Sequence, residues 1–346
     1  MVINGISTLV TALQTQDSLS TAQKKLNDAV TEQSTLRHAD VGLTLGGNVS
    51  RNVNWRAKLS DTTNYLDANA QALSRADALQ TTLDAARTTA SSFLSTLSGS
   101  RNAANGQALT QQGSGFAIDA LVGAANATYG GQYLLGGQNT DVAPLNAYKG
   151  GPAQSSFDNA FQSFFGFAKT DPAASTITAA QMNSFLQGPY EDLFQSSSWS
   201  ANFSNATSNN LQSRIDDNQQ VDLSANANDP AIQDLMRGMV AVQEAGNGKL
   251  NSTAYQALVD YSMGKVSNAI QGLGDTQARI GAAQQTVTQT NTKLSSMKDV
   301  LDGEIQRTEG VDPAEVATRV NNLTTQLEAN YTVTGKLAKL SLLNYI

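Results

Sequence analysis

The sequence predicts a mainly α-helical protein: an elongated, hairpin-like helical bundle or coiled coil in which N- and C-terminal helices pair, carrying a small α+β insert. Three observations lead there. Leu273, Ile280, Val287, Leu294 and Leu301 recur every seven residues. Thr276, Ala283, Thr290 and Met297 interleave with them to give an alternating 3,4 spacing, which holds one stripe of a helix on a partner's seam. In the N-terminal half, Leu59, Leu66 and Leu73 repeat the interval, and Leu83, Ala90 and Leu97 resume it after a change of phase. Between these stretches, residues 141–225 lose the period. Pro144, Gly150-Gly151-Pro152, Pro172 and Gly188-Pro189 interrupt them, and aromatics gather at Phe157, Phe161, Phe164, Phe165 and Phe167.

Taken in chain order, the first element is an amphipathic helix with a stripe of Leu19, Ala22, Leu26, Ala29 and Leu36. Residues 1–45 and 305–346 are expected to form the terminal assembly coiled coil. Residues 46–140 and 226–304 are expected to form a helical rod; at 1.5 Å per residue, a stretch of about 40 residues runs about 60 Å. In the insert, 141–225, Phe157, Phe161, Phe164 and Phe165 fit one helix face, and Thr178 with Gln181 is placed to cap a second helix. The segment Leu211–Leu223, around Asp216-Asp217-Asn218, suits a hairpin. A helix opens at Asp229-Pro230 with Ile232, Leu235, Met236 and Met239 on one face. The last helix starts at Asp312, with Pro313 in its first turn and Glu315 three residues after the cap. Its stripe is Val316, Val320, Leu323, Leu327, Leu337 and Leu340, with Leu343 beyond. In a monomer two such arms bury little apolar surface against the cost of ordering them, so they are expected to order on assembly.

Composition narrows the function. With 346 residues, the prior is two or three domains. There are 22 Lys+Arg against 29 Asp+Glu, a net charge of −7, which gives no electrostatic support for nucleic-acid binding. The absence of cysteine excludes disulfides, thiolate metal sites and thiol nucleophiles. His38 is the single histidine, so a histidine-based metal site or triad has little to draw on. The start, Met1-Val2-Ile3-Asn4-Gly5, lacks a basic leader, and no apolar run approaches the roughly 18 residues of a membrane span. No cofactor or metal ligand set is expected.

Two segments resemble the bacterial flagellin family. The C-terminus, Leu327-Glu328-Ala329-Asn330-Tyr331 through Leu340-Ser341-Leu342-Leu343-Asn344-Tyr345-Ile346, is similar to that family's closing helix. Asn126-Ala127-Thr128-Tyr129-Gly130-Gly131-Gln132-Tyr133-Leu134-Leu135-Gly136-Gly137-Gln138-Asn139-Thr140-Asp141 resembles the passage from its rod to its outer domain. After the first helix, filament flagellins carry Ser-Gly-x-Arg-Ile-Asn; here Arg37-His38-Ala39-Asp40-Val41-Gly42 stands instead, which is similar to the hook–filament junction branch of alphaproteobacterial type. The resemblance implies a secreted, self-assembling structural subunit exported through the flagellar type III channel to the extracellular flagellum. It implies homo-oligomerisation into a ring or tube, with a hook-side junction protein, filament flagellin and an export chaperone as partners. The assembly residues it leads us to expect are Leu19, Leu26, Leu36, Leu323, Leu327, Leu337, Leu340 and Leu343. A filament flagellin is the alternative, and a surface-binding protein or hydrolase using the insert is a remote one.

Competing readings of individual motifs are weaker. Gly130-Gly131 and Gly136-Gly137 match no phosphate-loop pattern and suit turns. Glu191-Asp192 and Asp216-Asp217 are the only adjacent carboxylate pairs available for acid/base chemistry in the insert, and neighbours at i,i+1 point apart. No catalytic role is expected from them. Heptads alone would equally fit an antiparallel bundle with no assembly role.

Overall fold

A computed structural model describes the backbone of residues 3–343 and the side chains of residues 10 and 13–336. In chain order the helices are α1 (Ile3–Thr35), α2 (Val41–Leu45), α3 (Val49–Ser100), α4 (Gly106–Ala125), α5 (Pro152–Phe165), α6 (Ala179–Gln187), α7 (Pro189–Asp192), α8 (Ser196–Asn202), α9 (Pro230–Ala245), α10 (Ser252–Glu309) and α11 (Pro313–Leu343). The strands are β1 (Thr128–Tyr129), β2 (Gln132–Tyr133), β3 (Gln212–Arg214) and β4 (Gln220–Asp222), forming two antiparallel hairpins. The protein is mainly α, as its periodicity requires. It divides into two compact units, residues 1–64 with 293–346 and residues 65–292.

Within the unit of residues 65–292, α3 and α10 run antiparallel, since their partners climb one helix while descending the other. Asn69 Nδ2 donates to Asn291 Oδ1 (2.7 Å), Gln284 Nε2 donates to Asp77 Oδ1 (2.6 Å), Gln80 Nε2 donates to the Gln277 carbonyl (2.9 Å), and Arg101 forks onto Asp260 through two 2.6 Å bonds. Leu273, Ile280 and Val287 are buried on the α10 seam, together with Thr276. On α3, Leu83, Ala90 and Leu97 are buried as the ladder requires, but the column they continue is Asn69 and Ala76. Leu66 and Leu73 lie half-buried at its edge. The apparent change of phase is therefore a widening of the buried face. From Ala76 to Ala86, α3 turns Leu79 and Thr82 inward as well as Leu83, because it meets a second neighbour here: Arg75 reaches the Tyr133 carbonyl on β2 at 2.8 Å.

Helix α9 is buried nearly all round, and it follows the capping expected of Asp229-Pro230: the Asp229 carboxylate accepts from the Ala231 N–H at 2.8 Å. It lies so close to α10 that a Cβ on Gly238 would come within 2.7 Å of Val266 Cγ2. The segment 141–225 packs into the same continuous core. Phe157, Phe161, Phe185, Tyr190, Phe194 and Trp199 are fully buried, and Phe157 meets Phe185 edge-on, ring centroids 5.8 Å apart. Thr178 and Gln181 form the full capping box of α6. Strands β3 and β4 form the hairpin around Asp216-Asp217-Asn218, and Asn69 braces it from α3 by donating to the Ile215 carbonyl at 3.0 Å.

Within the unit of residues 1–64 with 293–346, α1 and α11 are antiparallel partners, with Gln23 meeting Tyr331 and Glu32 meeting Arg319. Over the described residues both arms are helical and paired with each other. Leu294 and Leu301 are buried, but Met297 is 44% exposed, contrary to its place in the ladder. An ideal α-helix has 3.6 residues per turn and drifts against a 3.5-residue repeat, so past Leu294 the half-buried interleaving positions become Lys298 and Ile305.

Asn69 is 1% exposed, and its amide serves both α10 and the hairpin. Replacing it with alanine strands the Ile215 carbonyl and should cost about 1–3 kcal/mol, read as a lowered unfolding midpoint in urea. An unchanged midpoint would show the buried amide to be dispensable.

Candidate assembly surface

The terminal pair is built from small contacts. Along α1 the inward stripe is Leu19, Ala22, Leu26, Ala29 and Glu32; along α11 it is Val316, Val320, Leu323, Leu327 and Asn330. Ala22, Ala29, Val316 and Leu327 are buried, while Leu19, Leu26 and Leu323 remain half-buried. Leu36 does not share the stripe. Helix α1 ends at Thr35, and Leu36 takes a left-handed φ of 56° as the residue that closes the helix, its side chain 51% exposed. Glu32, which the expected stripe does not include, takes the buried position after Ala29. Leu337, Leu340 and Leu343 carry side chains outside the described residues. Val10, Leu13, Val30, Tyr331 and Val333 are all about half exposed.

A charged knot ties this pair down where the chain turns. Glu309, at the end of α10, is fully buried. Its carboxylate receives Arg56 Nε at 2.7 Å and Arg37 Nη2 at 2.6 Å, with a second Arg56 nitrogen on Oε2. Its carbonyl accepts the His38 N–H (2.9 Å), and the Leu36 carbonyl accepts the Val311 N–H (3.2 Å). One turn away, Glu32 accepts from Arg319 at 2.7 Å and from the Ala39 N–H at 3.2 Å, with His38 Nδ1 3.6 Å off. Asp312 caps α11 by accepting from the Ala314 N–H at 2.8 Å. Glu315 points to Arg319 (2.8 Å), which leaves only half of the expected capping box. Hydrogen bonding from Arg56 outweighs desolvation and, with the charges of Arg56 and Arg37, holds the Glu309 carboxyl below the usual glutamate range. Sequence reasoning missed this knot because its members are single charges scattered over residues 32–319. The one signal was Arg37-His38-Ala39-Asp40, a polar cluster at a helix end.

Of the carboxylates considered for catalysis, Glu191 and Asp216 have clear structural duties. Glu191 accepts from Lys265 (2.6 Å) and Tyr261 (2.9 Å); burial alone would raise its pKa, but these bonds and the Arg237 charge lower it. Asp216 accepts from the Asn218 N–H in the β3–β4 turn. Gly130 and Gly131, both at positive φ, form the β1–β2 turn. Among the described residues no cluster of metal-ligating side chains occurs, and no helix is long and apolar enough to cross a membrane.

Glu309 loses its charge as pH falls through its depressed pKa. The stability it contributes is present above the unfolded value, near 4.5, and is lost below. Glu309→Gln should cost about 1–2 kcal/mol at neutral pH, the guanidinium partners being half exposed. It should also flatten the acid-induced loss of hydrogen-exchange protection in α1 and α11 that the unsubstituted protein shows between about pH 5 and pH 3. Identical profiles would remove Glu309 from this role.

Residues 6–140 match the model of the bacterial flagellin N-terminal helical region, and residues 263–346 match that of the bacterial flagellin C-terminal helical region. No curated protein matches the chain. Among solved structures, a Vibrio parahaemolyticus protein assigned as flagellar hook-associated is similar over 76% of this chain and 97% of its own, at 13% identity and TM-score 0.51. Bacillus cereus FlgL is similar over 74% and 98%, at 12% identity and TM-score 0.47.

Proposed function

The chain belongs to the bacterial flagellin family, and from that premise we propose that it is a non-enzymatic structural subunit of the bacterial flagellum that self-assembles at the junction between hook and filament. The observation that carries the reading is the economy of the α1–α11 pair. Among the described residues its buried apolar side chains are Ala22, Ala29, Val316 and Leu327, while Leu13, Val30, Tyr331 and Val333 stay about half exposed. A helix pair with this much apolar surface in water gains about 25 cal/mol for each Å² that a neighbouring copy covers. A ring or tube of copies supplies that cover. Leu19, Leu26, Leu36, Leu323, Leu327, Leu337, Leu340 and Leu343 are the side chains proposed to meet neighbours or complete the pair. Residues 1–45 and 305–346 act as assembly helices, and 141–225 as an outer insert.

The junction is preferred to the filament on the segment after α1, Arg37-His38-Ala39-Asp40-Val41-Gly42, and the likeness of fold to a hook-associated protein adds to that preference. In this reading the subunit leaves the cell through the flagellar type III system with an export chaperone, and contacts a hook-side junction protein below and filament flagellin above.

Deleting residues from Leu337 onward should leave the melting of the 65–292 unit nearly unchanged, because none of its core lies there. The same deletion should abolish incorporation, so that cells shed filament protein into the medium and build no filaments. Normal swimming by cells holding only the truncated chain would overturn the proposal.

A further inference from the structure

The α1–α11 pair carries a groove on each flank. At about 100° per residue, Gln23, Leu26 and Asn27 turn one way round α1 from the buried Ala22, and Lys25, Asp28 and Glu32 turn the other. Round α11 from the buried Leu327, Glu328 and Tyr331 turn one way, and Arg319 and Leu323 the other. The first group of each helix lines a groove of about 410 Å³, and the second group lines one of about 270 Å³. The buried stripe lies between them, so the two grooves face opposite directions.

Charge in these grooves is only partly used within the chain. Arg319 holds Glu32 at 2.7 Å in the smaller groove. Lys25 and Asp28 in that groove, and Glu328, the one charged residue lining the larger, are exposed and form no ion pair among the described residues. Their levels match. The helices run antiparallel with Gln23 donating to Tyr331 at 2.6 Å; two residues on from Gln23 is Lys25, and three back from Tyr331 is Glu328. Opposite charges therefore stand at one height on opposite flanks. Asp28 and Asn27 repeat the arrangement, a carboxylate lining one groove and a carboxamide able to donate lining the other. Like flanks set together about a two-fold axis at this height would oppose Lys25 to Lys25, or Glu328 to Glu328, which costs affinity. Unlike flanks set together repeat the same contact from copy to copy and close into a ring or continue as a tube.

We propose that neighbouring copies dock flank to flank, with the Lys25 groove of one copy against the Glu328 groove of the next and Lys25 paired with Glu328. The contact rests on the self-assembly reading above and adds to it which surfaces meet, in which direction, and at what height along the pair. Leu26 and Tyr331 on one side and Leu323 on the other supply the apolar surface that the contact covers.

The chain has no cysteine, so introduced ones report contacts without background. Full-length chains carrying Lys25→Cys, co-expressed in one cell with full-length chains carrying Glu328→Cys, should give disulfide-linked dimers in isolated flagella. Both substitutions in one chain should give a ladder of higher oligomers, and neither single variant alone should cross-link. Lys25→Glu and Glu328→Lys should each lower the copies per flagellum about tenfold, and the two together in one chain should restore them to at least half. Melting of the purified chains should stay unchanged, since neither charge has a partner within the chain. Cysteine variants that enter flagella without a 25–328 link, single variants that cross-link with themselves, or a joint reversal no better than the single ones would overturn this contact and leave self-assembly standing. Absence of the unsubstituted chain from flagella would overturn the assembly reading and this contact with it.

Discussion

Antiparallel pairing of α3 and α10 is the constraint on which the rest depends, because each compact unit is assembled around its own stretch of these two helices. Their seam is lean in leucine, and a seam of small and half-polar side chains would tolerate sliding by a heptad if apolar contact alone set the register. Amides remove that freedom. Asn69 with Asn291, and Gln80 with the Gln277 carbonyl, are satisfied in one register only; in the other unit Asn52 with Thr308 does the same. A shifted register would bury these groups unpaired, at about 1–3 kcal/mol each. Polar seam residues that fix alignment at some cost in stability are an established device of helical pairs. Once the register is set, α9 and the aromatic cluster of 141–225 have a defined surface to close against.

The other unit solves a different problem: holding two terminal helices that have little core of their own. Glu309 draws Arg37 and Arg56 onto the end of α10, and Glu32 draws Arg319 across from α11. These directed bonds orient α1 and α11 without covering their apolar sides. The pair is therefore positioned and still open to neighbours, which is the condition a self-assembling subunit needs.

Much of this was legible in the sequence, and the remainder has physical causes. The burial of Leu273, Ile280 and Val287, the caps at Thr178 and Asp229 and the β3–β4 hairpin all follow from local pattern, since each is decided within a few residues. Asn69 and Thr62 were invisible as core because a hydrophobic ladder does not count polar members, yet both are 1% exposed. Met297 and Leu36 failed for geometric reasons, helix drift in one case and a helix end in the other. The Glu309 knot joins residues far apart in the chain, and no window on the sequence brings them together. Of the eight leucines expected to drive assembly, Leu327 is buried in the pair, Leu19, Leu26 and Leu323 are half-buried and Leu36 is exposed.

Immunogold labelling of intact flagella with antibody raised to the 141–225 segment tests the central claim most directly, because a junction subunit and a filament subunit differ in where they sit and in how many copies are present. Label is expected only at the boundary between hook and filament, in a few copies per flagellum. Label along the whole filament would contradict the junction assignment, and flagella without label would contradict a flagellar role altogether.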